Sequence, residues 1–147
     1  MQDLSKLNWD YAHAHILKFQ VSKENIDVLG HANNKVYLDW CEVVSWDHSK
    51  TLGVSFHNYN ELRCACVVLK NNMEYLGSLF EGDKVAISTW ITHTDSKLRI
   101  SRLFQVIHIK DNKTVFRSEV NYVCVNLDTF KPMKMPDLLK QAYKVTI

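Results

Sequence analysis

An α+β fold, with one long helix packed on an antiparallel sheet of about five strands, is the class this sequence predicts. Three observations predict it. A single stretch of helical apolar period lies between residues 34 and 52, long strand-like runs flank it, and short polar separators divide the later runs. With 147 residues the chain has the size of one domain with a real core. No linker-like stretch divides it, so residues 1–147 are read as a single domain.

The first strand is expected over Tyr11–Val21, which mixes aromatic, β-branched and alternating residues before Ser22-Lys-Glu-Asn25 breaks the pattern with turn-formers. From Asn34 to Leu52 the period is helical. Tyr37, Trp40, Cys41, Val44 and His48 fall at i, i+3, i+4, i+7 and i+11, which makes one broad apolar face. Asn33 or Asn34 is suited to cap the start and Gly53 to end it, with Lys50 in the last turn. Such a helix spans about 28 Å. Asn58-Tyr-Asn-Glu61 carries no signal beyond its polarity and reads as a loop.

Four long runs rich in Val, Ile, Thr and aromatics follow, over Arg63–Tyr75, Lys84–His93, Lys97–Ile109 and Thr114–Asn126. The separators Glu81-Gly-Asp83, Thr94-Asp-Ser96 and Lys110-Asp-Asn-Lys113 are short, so successive strands are expected to pair as antiparallel hairpins. Pro132 and Pro136 then end the sheet, and Asp137–Tyr143 reads as a short terminal helix. One helix covers only part of one face of such a sheet. The remaining apolar surface calls for a cover, most simply a second copy of the chain.

Composition narrows the function. Apolar residues make up 46% and charged residues 23%, ordinary for a soluble globular protein. Eighteen Lys and Arg nearly balance sixteen Asp and Glu, so the concentrated basic face of a nucleic-acid binder is not expected. The N-terminus has no apolar core of signal-peptide length, and no apolar run approaches the roughly 20 residues that cross a membrane. The cysteines at 41, 64, 66 and 124 have no CxxC spacing and read as reduced thiols of a cytoplasmic protein, not as a zinc site.

The chemistry concentrates in Asp27-Val-Leu-Gly30-His31-Ala-Asn33-Asn34, which runs straight into Lys35-Val-Tyr37-Leu-Asp-Trp40-Cys-Glu42. A carboxylate, a glycine and a histidine precede a helix start, where free N–H groups can stabilise a developing oxyanion. Cleavage of an acyl bond needs both parts: a base or nucleophile, and donors for the carbonyl oxygen.

This stretch resembles the D-x-x-G-H-V-N-N-x-x-Y-x-x-W/F-x-E signature of the hot-dog-fold acyl-CoA thioesterases, specifically the 4-hydroxybenzoyl-CoA thioesterase-like group. Tyr75-Leu-Gly-Ser-Leu79-Phe-Glu-Gly82-Asp83 is similar to that family's "Y-L-x-P-L-x-x-G-D" block, and Lys131-Pro-Met-Lys-Met-Pro136 to its closing proline segment. Asn25 and Ser78 stand where many relatives carry Asp and Pro. The resemblance implies a hot-dog fold, a long central helix wrapped by a curved antiparallel sheet. It implies a homodimer or homotetramer with active sites at the subunit interface, acting on a small-molecule acyl thioester. Coenzyme A would be part of that substrate, and no metal or other cofactor is implied.

Residue by residue, the resemblance assigns Asp27 as general base or nucleophile and the N–H of Asn34 as the oxyanion donor. Gly30 would permit a close approach or an unusual backbone angle, and His31 would support the loop or meet the substrate carbonyl. Asn33 and Tyr37 are the substrate-binding candidates, although Asn33 also reads as a helix cap and Tyr37, with Trp40, as core. Glu42 matches the motif's acid with no clear role.

Other groups read as structural. His13 and His15 share one face of the expected strand but have no third metal ligand nearby. Ser101 and Ser118 lack a nucleophile turn. Lys97, Arg99 and Arg102, at a strand start, read as solvated edge charges, with contact to coenzyme A phosphates as the alternative. Alternative functions are a non-catalytic acyl-thioester binder, an enoyl-CoA hydratase or dehydratase of the same fold, and an acyl-carrier-protein thioesterase.

Overall fold

The structure, a computed structural model, describes residues 2–147. Five strands, β1 (His15–Gln20), β2 (Cys64–Tyr75), β3 (Lys84–Thr94), β4 (Arg99–His108) and β5 (Lys113–Asn126), form one sheet in the order β1-β3-β4-β5-β2. Every pair is antiparallel. Register shifts at Val68/Lys70, Ile91/His93 and Val106/Ile107 insert bulges. Bulges bend a sheet and raise its twist, here curving it around the helix α1 (Asn34–Thr51).

The helical period reads through directly. Tyr37, Trp40, Cys41, Val44 and His48 are all buried. The first four of these, together with Leu79, Val85, Ile87, Phe104 and Phe116, belong to the main core. Tyr37 stacks on Phe116 at 5.0 Å between ring centroids and Trp40 on Phe19 at 5.8 Å. Asn33 is the N-cap of α1, and Gly53, with φ of +96°, follows its last turn.

Three expectations need correction. The strand after the helix does not pair with its sequence neighbour: β2 pairs with β5, at the far edge from β1. Residues 76–83 cross between the edge and the sheet interior and do not close a hairpin. The first strand begins only at His15, because the segment before it packs Trp9 and Tyr11 edge-on against Trp90. Asn58-Tyr-Asn-Glu61 is not a loop. It lies in helix α2 (Phe56–Leu62), where Ser55 and Asn58 make a capping box with the Ser55 N–H 2.8 Å from Asn58 Oδ1. The short terminal helix α3 (Asp137–Ala142) forms as expected.

A polar staple ties α1 to the sheet and to the C-terminal segment. Buried Arg102 on β4 donates from Nη1 to His48 Nδ1 at 2.8 Å and from Nη2 to Ser49 Oγ at 3.1 Å. Ser49 Oγ lies 3.0 Å from the Tyr143 hydroxyl, which in turn lies 2.8 Å from that of Tyr59. Burial, then the Arg102 charge, hold His48 down at about 3. A histidine kept neutral by the fold binds fewer protons than the unfolded chain, so its stabilising effect is complete above its ordinary value of 6.5 and is lost as pH falls toward 3. His48→Gln is therefore expected to be less stable than wild type near neutrality but to lose less stability on acidification. The difference in slope should be on the order of a few kcal/mol between about pH 7 and pH 4. Thermal unfolding of the two proteins across that range measures it, and parallel curves would refute it.

Candidate active site

The loop ahead of α1 is built by backbone hydrogen bonds. Ile26 and Ala32 form an isolated antiparallel bridge. Within it the Asp27 N–H donates to the His31 carbonyl at 3.1 Å, and the Gly30 N–H to the Asp27 carbonyl at 3.0 Å. Gly30 closes the turn at φ +85°, and open space surrounds the position a Cβ would take. Its role is therefore the left-handed backbone angle and not a tight approach by a neighbour. Asn25 locks the loop from outside: its side chain accepts from the Ser22 N–H at 2.8 Å, and its carbonyl accepts from the Asn33 N–H at 2.8 Å. The crossing segment holds the loop from the other side, through the Ala32 N–H to the Leu79 carbonyl at 2.8 Å.

Asp27 is half-buried, and its Oδ1 accepts from the Leu29 N–H at 2.8 Å, while the flanking Val28 and Leu29 side chains stand exposed. One carboxylate oxygen is thus fixed and the other has no partner among the described residues. Asn33 Oδ1 accepts from the Lys35 N–H at 3.1 Å, so Asn33 is spent on capping. The neighbouring N–H, that of Asn34, donates to nothing among the described residues. It sits at the positive end of an 18-residue helix, where an oxyanion is stabilised by both the free donor and the helix dipole.

His31, Asn34 and Tyr37 line one cleft of about 350 Å³, walled opposite by Tyr75, Leu76 and Ser78. Asp27, Gly30 and Asn33 do not line it; they shape the loop and cap beside it. The His31 ring reaches only the Ala32 carbonyl, at a long 3.5 Å. Tyr37 is a floor residue: burial, with Tyr75 adding to it, pushes its hydroxyl up to about 12. The Tyr75 hydroxyl donates to the Asn34 carbonyl at 3.2 Å, which ties the end of β2 to the helix start. Cys41 nearby is held as a thiol, because burial raises it strongly.

The other residues singled out in the sequence separate clearly in the fold. His13 lies outside the strand at φ +58°, and His15 Nε2 pairs with Asp47 at 2.7 Å, so the two do not form a ligand pair. Among the described residues no three His, Cys, Asp or Glu gather as a metal-binding group, and no helix is long and apolar enough to cross a membrane. Lys97 and Arg99 are exposed as expected, but Arg102 is not: it is 2% exposed. A signal for this exists in the alternation Ile100-x-Arg102-x-Phe104, which puts the arginine on the inward face of β4.

Known proteins share this arrangement of helix, loop and sheet. A family model described as the thioesterase-like superfamily matches residues 21–143. The chain belongs to the thioesterase-like superfamily. The long-chain acyl-CoA thioesterase FadM of Escherichia coli (strain K12) is 26% identical over 125 residues, covering 84% of this chain and 92% of FadM. In structure the chain is similar to a DHNA-CoA thioesterase from Staphylococcus aureus, with TM-score 0.78, 23% identity and 87% of each chain covered. It is also similar to a 1,4-dihydroxy-2-naphthoyl-CoA thioesterase from Synechocystis, with TM-score 0.79, 16% identity and coverage of 88% of this chain and 95% of that one. The fold is the hot-dog fold, and the superfamily member is a thioester hydrolase.

The cap assignment for Asn33 has its own test. Asn33→Ala should lower stability by about 1 kcal/mol, and Asn33→Ser, which also caps, should recover most of it. Thermal melts of both variants check this; equal losses would point instead to a role for the amide outside the cap.

Proposed function

We propose that this thioesterase hydrolyses an acyl-CoA to the free acid and coenzyme A, with the thioester seated in the cleft at the α1 N-terminus. The observation that carries the reading is the uncommitted Asn34 N–H at that terminus, next to a loop that holds the Asp27 carboxylate with one oxygen unpartnered. In this reading the thioester oxygen accepts from the Asn34 N–H as negative charge develops on it. Asp27 then either attacks the carbonyl carbon and expels the thiolate, leaving a mixed anhydride for water to cleave, or deprotonates the attacking water. His31 and Tyr75 hold the cleft in shape.

We also infer that the active unit is a homodimer formed through the free edge of β2. Among the described residues that edge strand has no partner on its outer side, and it exposes Val68, Leu69, Met73 and Tyr75, an invitation to pairing that natural proteins rarely leave open. The free cysteines fit a reducing compartment such as the cytoplasm.

Asp27→Asn keeps the turn's hydrogen-bond acceptor while removing the base, so it should fold normally and lower kcat/KM by about 100-fold or more. Thiol release across short, long and aromatic acyl-CoAs measures this, and an unchanged value on the best substrate would sink the mechanism. Leu69→Asp should convert the dimer to monomer in light scattering and abolish turnover. A dimeric or fully active variant would remove β2 from the interface.

A further inference from the structure

Between the second half of α1 and the sheet lies a second cavity of about 300 Å³, whose lining includes Glu42, Ser45, Trp46, Cys66, Arg102 and Tyr122. Resting on the thioesterase reading above, we propose that it is the acyl pocket, and that Arg102 selects acyl groups bearing an oxygen acceptor, best a carboxylate, at the end remote from the thioester.

The first argument is the state of Arg102. It forms no ion pair among the described residues: Glu42, exposed at the rim of the same cavity, is not within ion-pair distance of it, and Asp47 is bound to His15. Its partners are neutral: the His48 ring nitrogen, the Ser49 hydroxyl, the Thr89 hydroxyl at 3.5 Å and the face of Tyr143 at 5.8 Å. Burial pushes Tyr122 and Tyr143 up, so neither supplies a negative charge; the Cys66 thiol is shifted the other way, chiefly by its hydrogen bond with Cys124. A guanidinium has five N–H donors, and these contacts use three. Two remain without a protein acceptor beside an open cavity. A buried cation is costly without a counter-charge, and a purely structural staple needs no space next to it. An incoming oxygen acceptor satisfies both the charge and the spare donors.

The second argument is alignment with the thioester cleft along α1. Asn34, Leu38, Ser45 and Ser49, at i, i+4, i+11 and i+15, lie along one side of α1. Asn34 lines the cleft, and Ser45 and Ser49 line the cavity. Arg102's partners on α1, His48 and Ser49, lie fourteen and fifteen residues beyond Asn34, about 21–23 Å along the axis. An acyl chain of around twelve carbons following that side of the helix reaches Arg102 when the hydrogen bonds at its two ends, roughly 3 Å each, are included.

The test compares dodecanoyl-CoA, 12-hydroxydodecanoyl-CoA and the CoA thioester of dodecanedioic acid, substrates of equal length that differ only at the far end. The wild-type protein should favour the dicarboxylate thioester over dodecanoyl-CoA by about 10- to 100-fold in kcat/KM, the factor expected for hydrogen bonds to a charged group, with the hydroxyl between them. Arg102→Met should erase that ratio and Arg102→Lys should keep part of it. Ser45 donates only within its own helix, to the Glu42 carbonyl at 3.0 Å. Ser45→Phe therefore fills the cavity without touching the arginine network, and it should disfavour all three substrates relative to short acyl-CoAs even where Arg102→Met fails to fold. A wild-type preference for dodecanoyl-CoA, or a ratio that neither variant changes, overturns the proposal. Calorimetry with dodecanedioate and dodecanoate separates the two readings. Tighter, Arg102-dependent binding of the diacid with no thioester cleaved would leave the pocket standing and remove the hydrolase. Cleavage with no terminal preference would do the reverse.

Discussion

The seating of one helix in the curve of one sheet is the constraint on which the rest of this molecule depends. The aromatic stripe of α1 fills the concavity, with Tyr37 against Phe116 and Trp40 against Phe19. Side chains of this size bury roughly 150–250 Å² each and dominate core energetics. Because the helix cannot slide without emptying that core, its N-terminus is held at a defined point. Everything chemical here is referred to that point: the uncommitted N–H of Asn34, the cap on Asn33 and the loop carrying Asp27.

The loop adds a second layer of fixation that uses backbone groups almost entirely. Ile26 and Ala32 bridge, Gly30 supplies the left-handed turn, and the Leu79 carbonyl draws in Ala32. This explains why the motif tolerates ordinary side chains at Val28 and Leu29, which are exposed, while using a glycine between its carboxylate and its helix. Pre-organised donors of this kind need no rearrangement as charge develops, which is how a helix terminus becomes catalytic machinery.

At the other end of α1 the same helix takes part in a different balance. His48 and Ser49 turn inward to meet Arg102, so a charged residue lies where the period of β4 calls for an apolar one. Keeping His48 neutral makes it an acceptor for the guanidinium and avoids two positive charges in contact. The helix therefore links a cleft at its start to a polar, partly empty cavity along its second half.

Much of this was legible in the chain. Helical period gave α1 and its buried face, alternation gave four long strands, and the Asp27–Glu42 stretch carried the candidate site, because periodicity and short motifs are local properties. The two hairpins β3–β4 and β4–β5 were legible from their short separators, but the place of β2 in the sheet was not. The separator Glu81-Gly-Asp83 ahead of β3 is as short as a hairpin turn, yet β2 pairs with β5 at the edge of the sheet. Arg102 read as a surface charge from its residue type, against the alternation that turns it inward, and nothing local names the helix packed over it. By itself the sequence determined α1 with its buried face, the four long strands and the family. Only the tertiary structure decided the strand order, the cleft formed with Tyr75 and the burial of Arg102, because those rest on contacts between residues dozens of positions apart.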